Sequence, residues 1–287
     1  MGQWTAIAAN GFADPVPGFI YDGGELRSGL PLGGLGTGYF TIEGNGQIGV
    51  SSIFGDLVPP KPVHADWLTI ESGTRAIPLS AARIQFWGHY PIADLHAELP
   101  EIPLTLGIRA VAPFIPGDAA VSNTPAAIFE IDATNHGVDP LRISLRLRFP
   151  APPKGGSFAL RAQSAKESNG AHTVELDLAP GAGRRVTVAV GWSFPSWRDS
   201  SSELHVNRYS QRFASADQAA AFALDNAPNL IRRVCAWQAA IYRASLPPWL
   251  RDALVQGLYS LAKNSVWIAR TRADEWWGDN GWFTHSE

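Results

Sequence analysis

Between Leu141 and Phe149 the chain alternates without a break. Leu141, Ile143, Leu145, Leu147 and Phe149 fall on one side of an extended strand, and Arg142, Ser144, Arg146 and Arg148 on the other. A helix would scatter these apolar side chains around its circumference, so the pattern commits the segment to a strand with one buried and one wet face. The same period of two, broken by Gly, Pro and Asn at roughly a dozen-residue intervals, runs from about Gly18 to Trp192 and marks antiparallel β structure. Tyr39-Phe40-Thr41-Ile42-Glu43 and Gln47-Ile48-Gly49-Val50 flank Gly44-Asn45-Gly46, residues that tolerate positive φ, which predicts a hairpin. Further strands are expected near 104–111, 126–133, 158–163, 172–178 and 185–192. So many half-buried strands, with no helical pattern between them, predict two packed sheets, a β-sandwich.

After Pro195 the composition shifts. Ser196 to Glu203 holds four serines with Arg198 and Asp199, and strand alternation stops, so 201–215 is expected to be a linker. From Ala216 the residues turn helical: Asp217 near an N-cap, then alanines, with Pro228 starting a second segment or kinking a long one. Ile231, Val234, Cys235, Gln238 and Ile241-Tyr242 continue a helical stripe, and after Leu246-Pro247-Pro248 another helix places Leu250, Leu254, Leu258 and Leu261 on one face. Two or three such helices do not close a core of their own, so 216–287 is expected to be an incomplete helical domain.

Composition narrows the function. With 23 basic and 26 acidic residues the net charge is −3, which offers no broad cationic surface for nucleic acid or anionic lipid. The single cysteine, Cys235, makes no intrachain disulfide, no apolar run approaches the ~20 residues of a transmembrane helix, and the N-terminus lacks a basic segment followed by an apolar one. A soluble, cytoplasmic protein is the expectation. Eleven tryptophans among 287 residues exceed what a core of this size needs.

The motifs are mostly negative. Gly33-Gly34-Leu35-Gly36-Thr37-Gly38 lacks the spacing of a dinucleotide fingerprint and the Gly-Lys-Ser/Thr of a P-loop, so a structural or site-facing turn is favoured over a phosphate cradle. No G-x-S-x-G occurs, and Ser260 with Lys263 is an isolated S-x-x-K late in a helix. The seven histidines lack metal-ligand spacing; His64-Ala65-Asp66 reads as a polar loop and Cys235 as buried filler. Neither a metal nor a cofactor is expected. The last sixteen residues differ: four aromatics, four carboxylates and a histidine crowd into Arg272 to Glu287. Flat rings for the faces of a pyranose and carboxylates for its hydroxyls and chemistry are what a sugar site requires, although the same run would serve as an aromatic seal on a helical core.

Several separated segments resemble one family. Gly29-Leu-Pro-Leu-Gly-Gly-Leu-Gly-Thr-Gly-Tyr39, His89-Tyr90-Pro91 through Leu104, Val111 to Asp118, and Asn123 to Glu130 are similar to the N-terminal domain of glycoside hydrolase family 116. Tyr242 to Leu250 continues the likeness into the start of a catalytic domain. The resemblance implies an N-terminal β-sandwich at 18–200, a linker at 201–215, and at 216–287 the first helices of an (α/α)6 barrel. It also implies retaining hydrolysis of β-glucosides by two carboxylates. Gly281-Trp-Phe-Thr-His-Ser-Glu287 is similar to the stretch ending in the family's nucleophile, which puts that role on Glu287. Trp276, Trp277, Trp282 and His285 are candidates for shaping the sugar subsite. The family's acid/base and most glucose-binding positions lie downstream, so this chain is expected to be the N-terminal portion of such an enzyme, without its C-terminal catalytic region and inactive alone. The rival expectation is a non-catalytic carbohydrate-binding or assembly module.

Overall fold

The computed structural model describes residues 4–26, 28–53, 60–150, 156–198 and 201–269, and the backbone of 280–284. Its frame is two antiparallel sheets packed face to face. The larger has seven strands in the spatial order Ser157–Ala162, Gly183–Ser193, Ala126–Asn135, Leu104–Val111, Ile92–Leu99, Arg83–His89 and Tyr21–Asp22. The smaller has five: Lys166–Ser168, Ala171–Leu178, Leu141–Leu147, Leu68–Ser72 and Arg75–Pro78. Alternation located these strands well because each central strand has at least one buried face. In Leu141–Leu147, Ile143, Leu145 and Leu147 are buried, while Arg142 and Arg146 are exposed. They join Phe129, Ile131, Val186 and Val188 in one core between the sheets. The hairpin also forms, with Phe40–Ile42 paired to Ile48–Ser51 and Gly46 at φ +80°.

Part of the tryptophan surplus belongs to this core. Trp67 is fully buried, lies with its ring 4.3 Å from that of Phe129 and donates its Nε1–H to the Gly46 carbonyl at 3.0 Å. Trp192, also fully buried, donates to the Thr37 carbonyl at 2.8 Å. Each polar handle is satisfied, as burial of an indole requires.

One end of the opposite face of the large sheet is covered by helices, while Arg83, Gln85, His96 and Glu98 at its other end are exposed. A one-turn helix, α1 (Ala119–Ser122), precedes α2 (Ala216–Asp225), α3 (Ala227–Tyr242), α4 (Pro248–Gln256) and α5 (Tyr259–Lys263). Ser215 caps α2, its Oγ accepting the Gln218 N–H. Asp217 sits in the first turn and binds Arg161 through two hydrogen bonds of 2.6–2.7 Å. Pro228 opens α3 rather than kinking a longer helix. Ile231, Val234 and Cys235 of α3 pack on Ile92, Val111, Ile128 and Ala189 of the sheet. The helices therefore find their core on the sandwich, not among themselves. The buried positions of helix α2 are all alanines, Ala216, Ala219, Ala220 and Ala223, because it lies on the strand backbone, with Phe222 and Leu224 partly buried against the same core. A Cβ at Gly191 would come within 2.3 Å of the Ala216 carbonyl oxygen and 2.5 Å of the Ala220 nitrogen.

Three segments hold more than the pattern alone shows. The 201–215 segment has regular structure of its own. Leu204–Asn207 is a strand, and the buried Tyr209 hydroxyl accepts the Phe194 N–H and donates to the Phe194 carbonyl, each at 2.8 Å. The 216–287 segment is not wholly helical. Ser265–Ala269 and Asn280–Thr284 pair antiparallel and complete a four-stranded sheet with Leu204–Asn207 and Ser196–Arg198. Val266-Trp267-Ile268 has strong strand preference, and Leu204–Asn207 offers it an edge. Finally, the leucine stripe is buried only in part: Leu258 and Leu261 pack against the main core, whereas in α4 Leu254 is 46% exposed and Val255 fully buried. Val255 faces inward because α4 rests on Val16, Trp87 and Tyr242.

Gly191→Val tests the close contact of α2. Overpacking against helix backbone is expected to lower unfolding stability by about 1–3 kcal/mol in urea titration of the whole chain, and an unchanged midpoint would contradict the packing described.

Candidate functional site

The glycine cluster forms a turn with Gly36 and Gly38 at φ +66° and +75°. Its amides are already engaged. The Gly36 N–H donates to Ser265 Oγ at 3.1 Å and the Leu35 N–H to the Ser122 carbonyl. Asn123 Nδ2 in turn donates to the Leu35 carbonyl at 2.8 Å. A Cβ on Gly36 would fall 2.5 Å from that of Trp267. The turn is thus a structural joint seated beneath strand Ser265–Ala269, with its donors turned away from any phosphate. The notch beside it, bordered by Gly36, Thr37, Ser52, Asn207, Lys263 and Ser265, measures about 20 Å³, room for a water and not for a sugar.

Of the predicted site residues, Trp276, Trp277, His285 and Glu287 lie outside the described residues. Trp282 lies in strand Asn280–Thr284, with its Cα opposite that of Trp267, and Thr284 pairs with Ser265. The backbone of Asn280–Thr284 therefore runs beside the strand that sits on the glycine turn. The other motifs resolve into structural roles. Asp66 accepts hydrogen bonds from Gln47, from the Ser80 amide and from the Ser80 hydroxyl at 2.9–3.1 Å. Ser260 Oγ donates to the Gly257 carbonyl at 2.9 Å. Cys235 is buried, which pushes its thiol pKa up. Among the described residues no three His, Cys, Asp or Glu side chains converge as a metal site.

One polar network escaped the sequence reading. Asp94 and Arg109 face each other across neighbouring strands, and Arg109 Nε and Nη2 donate to the Asp94 carboxylate at 2.8 Å each. His89, fully buried, lies 3.0 Å from Asp94 through Nε2 and 3.0 Å from Gln238 Oε1 through Nδ1. Gln238 of α3 also donates its Nε2–H to the His89 and Tyr90 carbonyls at 2.6 and 3.0 Å. The indole of Trp87 stacks on the imidazole at 3.7 Å. The network ties α3 to the sheet. Its only sequence signal is one carboxylate and one guanidinium in adjacent apolar strands, which reveals nothing until the register is known.

Residues 29–157 match the family model described as "beta-glucosidase 2, glycosyl-hydrolase family 116 N-term". The matched segment carries the hairpin, the glycine turn and four of the seven large-sheet strands, and it is similar to the N-terminal domain of that glycoside hydrolase family. A search of curated proteins returns no match. Among solved structures, "Putative kojibiose phosphorylase from human microbiome" aligns at 12% identity and a TM-score of 0.42, over 88% of this chain and 36% of that chain. The chain thus spans about a third of the length of that protein.

Gly36→Ala is expected to destabilise the chain by about 2 kcal/mol, since alanine must adopt positive φ and meet Trp267; a wild-type thermal midpoint would show that the turn yields freely. The His89 network sets a pH dependence. Unfolded, His89 titrates near 6.5 and Asp94 near 3.8; folded, burial lowers the imidazole pKa. Burial would raise the carboxyl, but hydrogen bonds from Arg109 and His89 outweigh it and hold it at about 2. Both folded pKa values lie below the unfolded ones, so on acidification the unfolded chain takes up protons first and stability falls. Denaturant midpoints should be flat above about pH 7, decline below about 6.5 and decline further between about 4 and about 2. His89→Gln should remove the first decline, and a midpoint that rises on acidification would refute the assignment.

Proposed function

We propose that this chain is the N-terminal portion of a retaining β-glucosidase of family 116. In this reading the sandwich supports the opening helices of an (α/α)6 barrel whose nucleophile is Glu287. The observation that carries the reading is the family match over residues 29–157. On this reading the division falls near residue 200, with 18–200 as the sandwich domain and the helical start of the barrel following from 216.

In retaining hydrolysis one carboxylate attacks the anomeric carbon while a carboxylic acid ~5–5.5 Å away protonates the departing oxygen. Water then releases the sugar as the second group takes the proton back. Glu287 supplies the attack. The second carboxyl belongs to the catalytic region that the resemblance places after it, so the 287-residue chain alone is expected to turn over no aryl β-glucoside. Trp276, Trp277, Trp282 and His285 are proposed to shape the sugar subsite, the tryptophans by offering ring faces to the pyranose. The substrate class is β-glucosides, with the aglycone open.

In the protein as expressed from its gene, a 2-deoxy-2-fluoroglucoside inactivator should leave a stable glycosyl adduct on the Glu287 peptide, read by mass spectrometry, and Glu287→Gln should abolish it. An adduct on another carboxylate, or aryl glucoside turnover that survives Glu287→Gln, would overturn the assignment.

A further inference from the structure

A cleft of about 580 Å³ lies between the Phe40–Ser51 hairpin and helices α4 and α5. Its volume falls in the range of small-molecule sites. The floor is apolar, made by Leu30, Phe86 and the ring of Tyr39, all buried. The rim carries Glu43, Asp252, Tyr259 and Lys263.

Two of these rim groups are held in place by the fold. The Glu43 carboxylate occupies space that two glycines leave open: a Cβ at Gly49 would come 1.8 Å from Glu43 Oε1, and one at Gly29 would come within 2.6 Å. Thr41 Oγ1 also donates to Oε1 at 2.6 Å, while itself accepting the Val50 N–H. Across the cleft, Asp252 projects from a helix that is fastened one turn later. Gln256 accepts the Tyr90 N–H at 3.2 Å through Oε1 and donates to the Gly88 carbonyl through Nε2. Asp252 is half-buried, and that burial raises its carboxyl pKa to about 6.

Charge selects the occupant. Two carboxyl groups repel an anion. Lys263 on the same rim opposes a compact cation, and the rim lacks the three converging ligands of a metal site among the described residues. What remains is a neutral molecule with hydroxyls for Glu43 and Asp252 and a flat apolar face for Tyr259 and the floor. We propose that this cleft, where the hairpin meets α4 and α5, is a saccharide-binding site taking a neutral glucoside or short glucan. The choice of glucose units rests on the family reading above, whereas the cleft, its held carboxylate and its charge balance do not.

The test is calorimetric and NMR titration of the 287-residue chain with methyl β-D-glucopyranoside and with cellobiose. Binding of millimolar affinity is expected, and Glu43→Gln and Tyr259→Ala should each weaken it by ~10-fold, the loss of one charge-assisted hydrogen bond or one ring face. Tyr259 is 41% exposed, so Tyr259→Ala should shift the thermal midpoint little and separates binding from folding if Glu43→Gln is unstable. No saturable binding by the wild-type chain, or binding that Tyr259→Ala leaves unchanged, would overturn the proposal. Sugar binding here together with failed labelling of Glu287 would sink the nucleophile assignment and leave this site standing; labelling without cleft binding would do the reverse.

Discussion

Burial of the seven-stranded sheet on one whole face and on one end of the other is the constraint from which the rest of the structure follows. One face closes on the five-stranded sheet and that end of the other on α2 and α3, so neither apolar surface meets water. Burial on two faces explains why Gly183–Ser193 is buried almost continuously from Val186 onward, inward and outward residues alike. It also dictates the composition of α2. A helix lying directly on strand backbone has room at the contact for alanine and nothing larger, and Gly191 is the complementary concession from the strand.

Once the helices are committed to the sheet, their polar side chains stitch the contact. Gln238 of α3 and Gln256 of α4 both reach the short segment from Gly88 to Tyr90, one through the His89 and Tyr90 carbonyls and the other through the Gly88 carbonyl and the Tyr90 amide. These backbone groups sit where a strand turns into its neighbour and has no ladder partner to offer. An amide side chain, with a donor and an acceptor on one rigid group, satisfies both needs at once. Helix position, turn geometry and the His89 environment are therefore a single arrangement.

Much of this was legible in the sequence, and the reasons for success and failure are physical. Strands such as Leu104–Val111 and Ala171–Leu178 could be placed to within a residue or so because one face of each is buried and the period of two survives. Helix α3 was legible because Ile231, Val234 and Cys235 form one stripe against one surface. Strand Ser265–Ala269 was missed because it follows a helix after a single turn residue and one of its partners, Leu204–Asn207, is distant in sequence. Local pattern does not report pairing across that distance. Asp94 with Arg109, and Glu43 above Gly49, were invisible for the same reason: each acquires meaning only from a cross-strand or glycine neighbour. The glycine cluster was read correctly as a turn, but its seat under Trp267 depends on a contact spanning more than two hundred positions.

The helical cover has one more consequence, which concerns how such a domain travels between proteins. A β-sandwich is commonly treated as a portable unit that can be cut where its last strand ends. Here that cut, near residue 200, would strip α2 and α3 from Ile92, Val111, Ile128 and Ala189 and leave a flat apolar surface open to its own copies. The inheritable unit is the sandwich with its helices attached. A lineage that exchanged one for another would have to carry both across the junction or invent a new cover for the sheet.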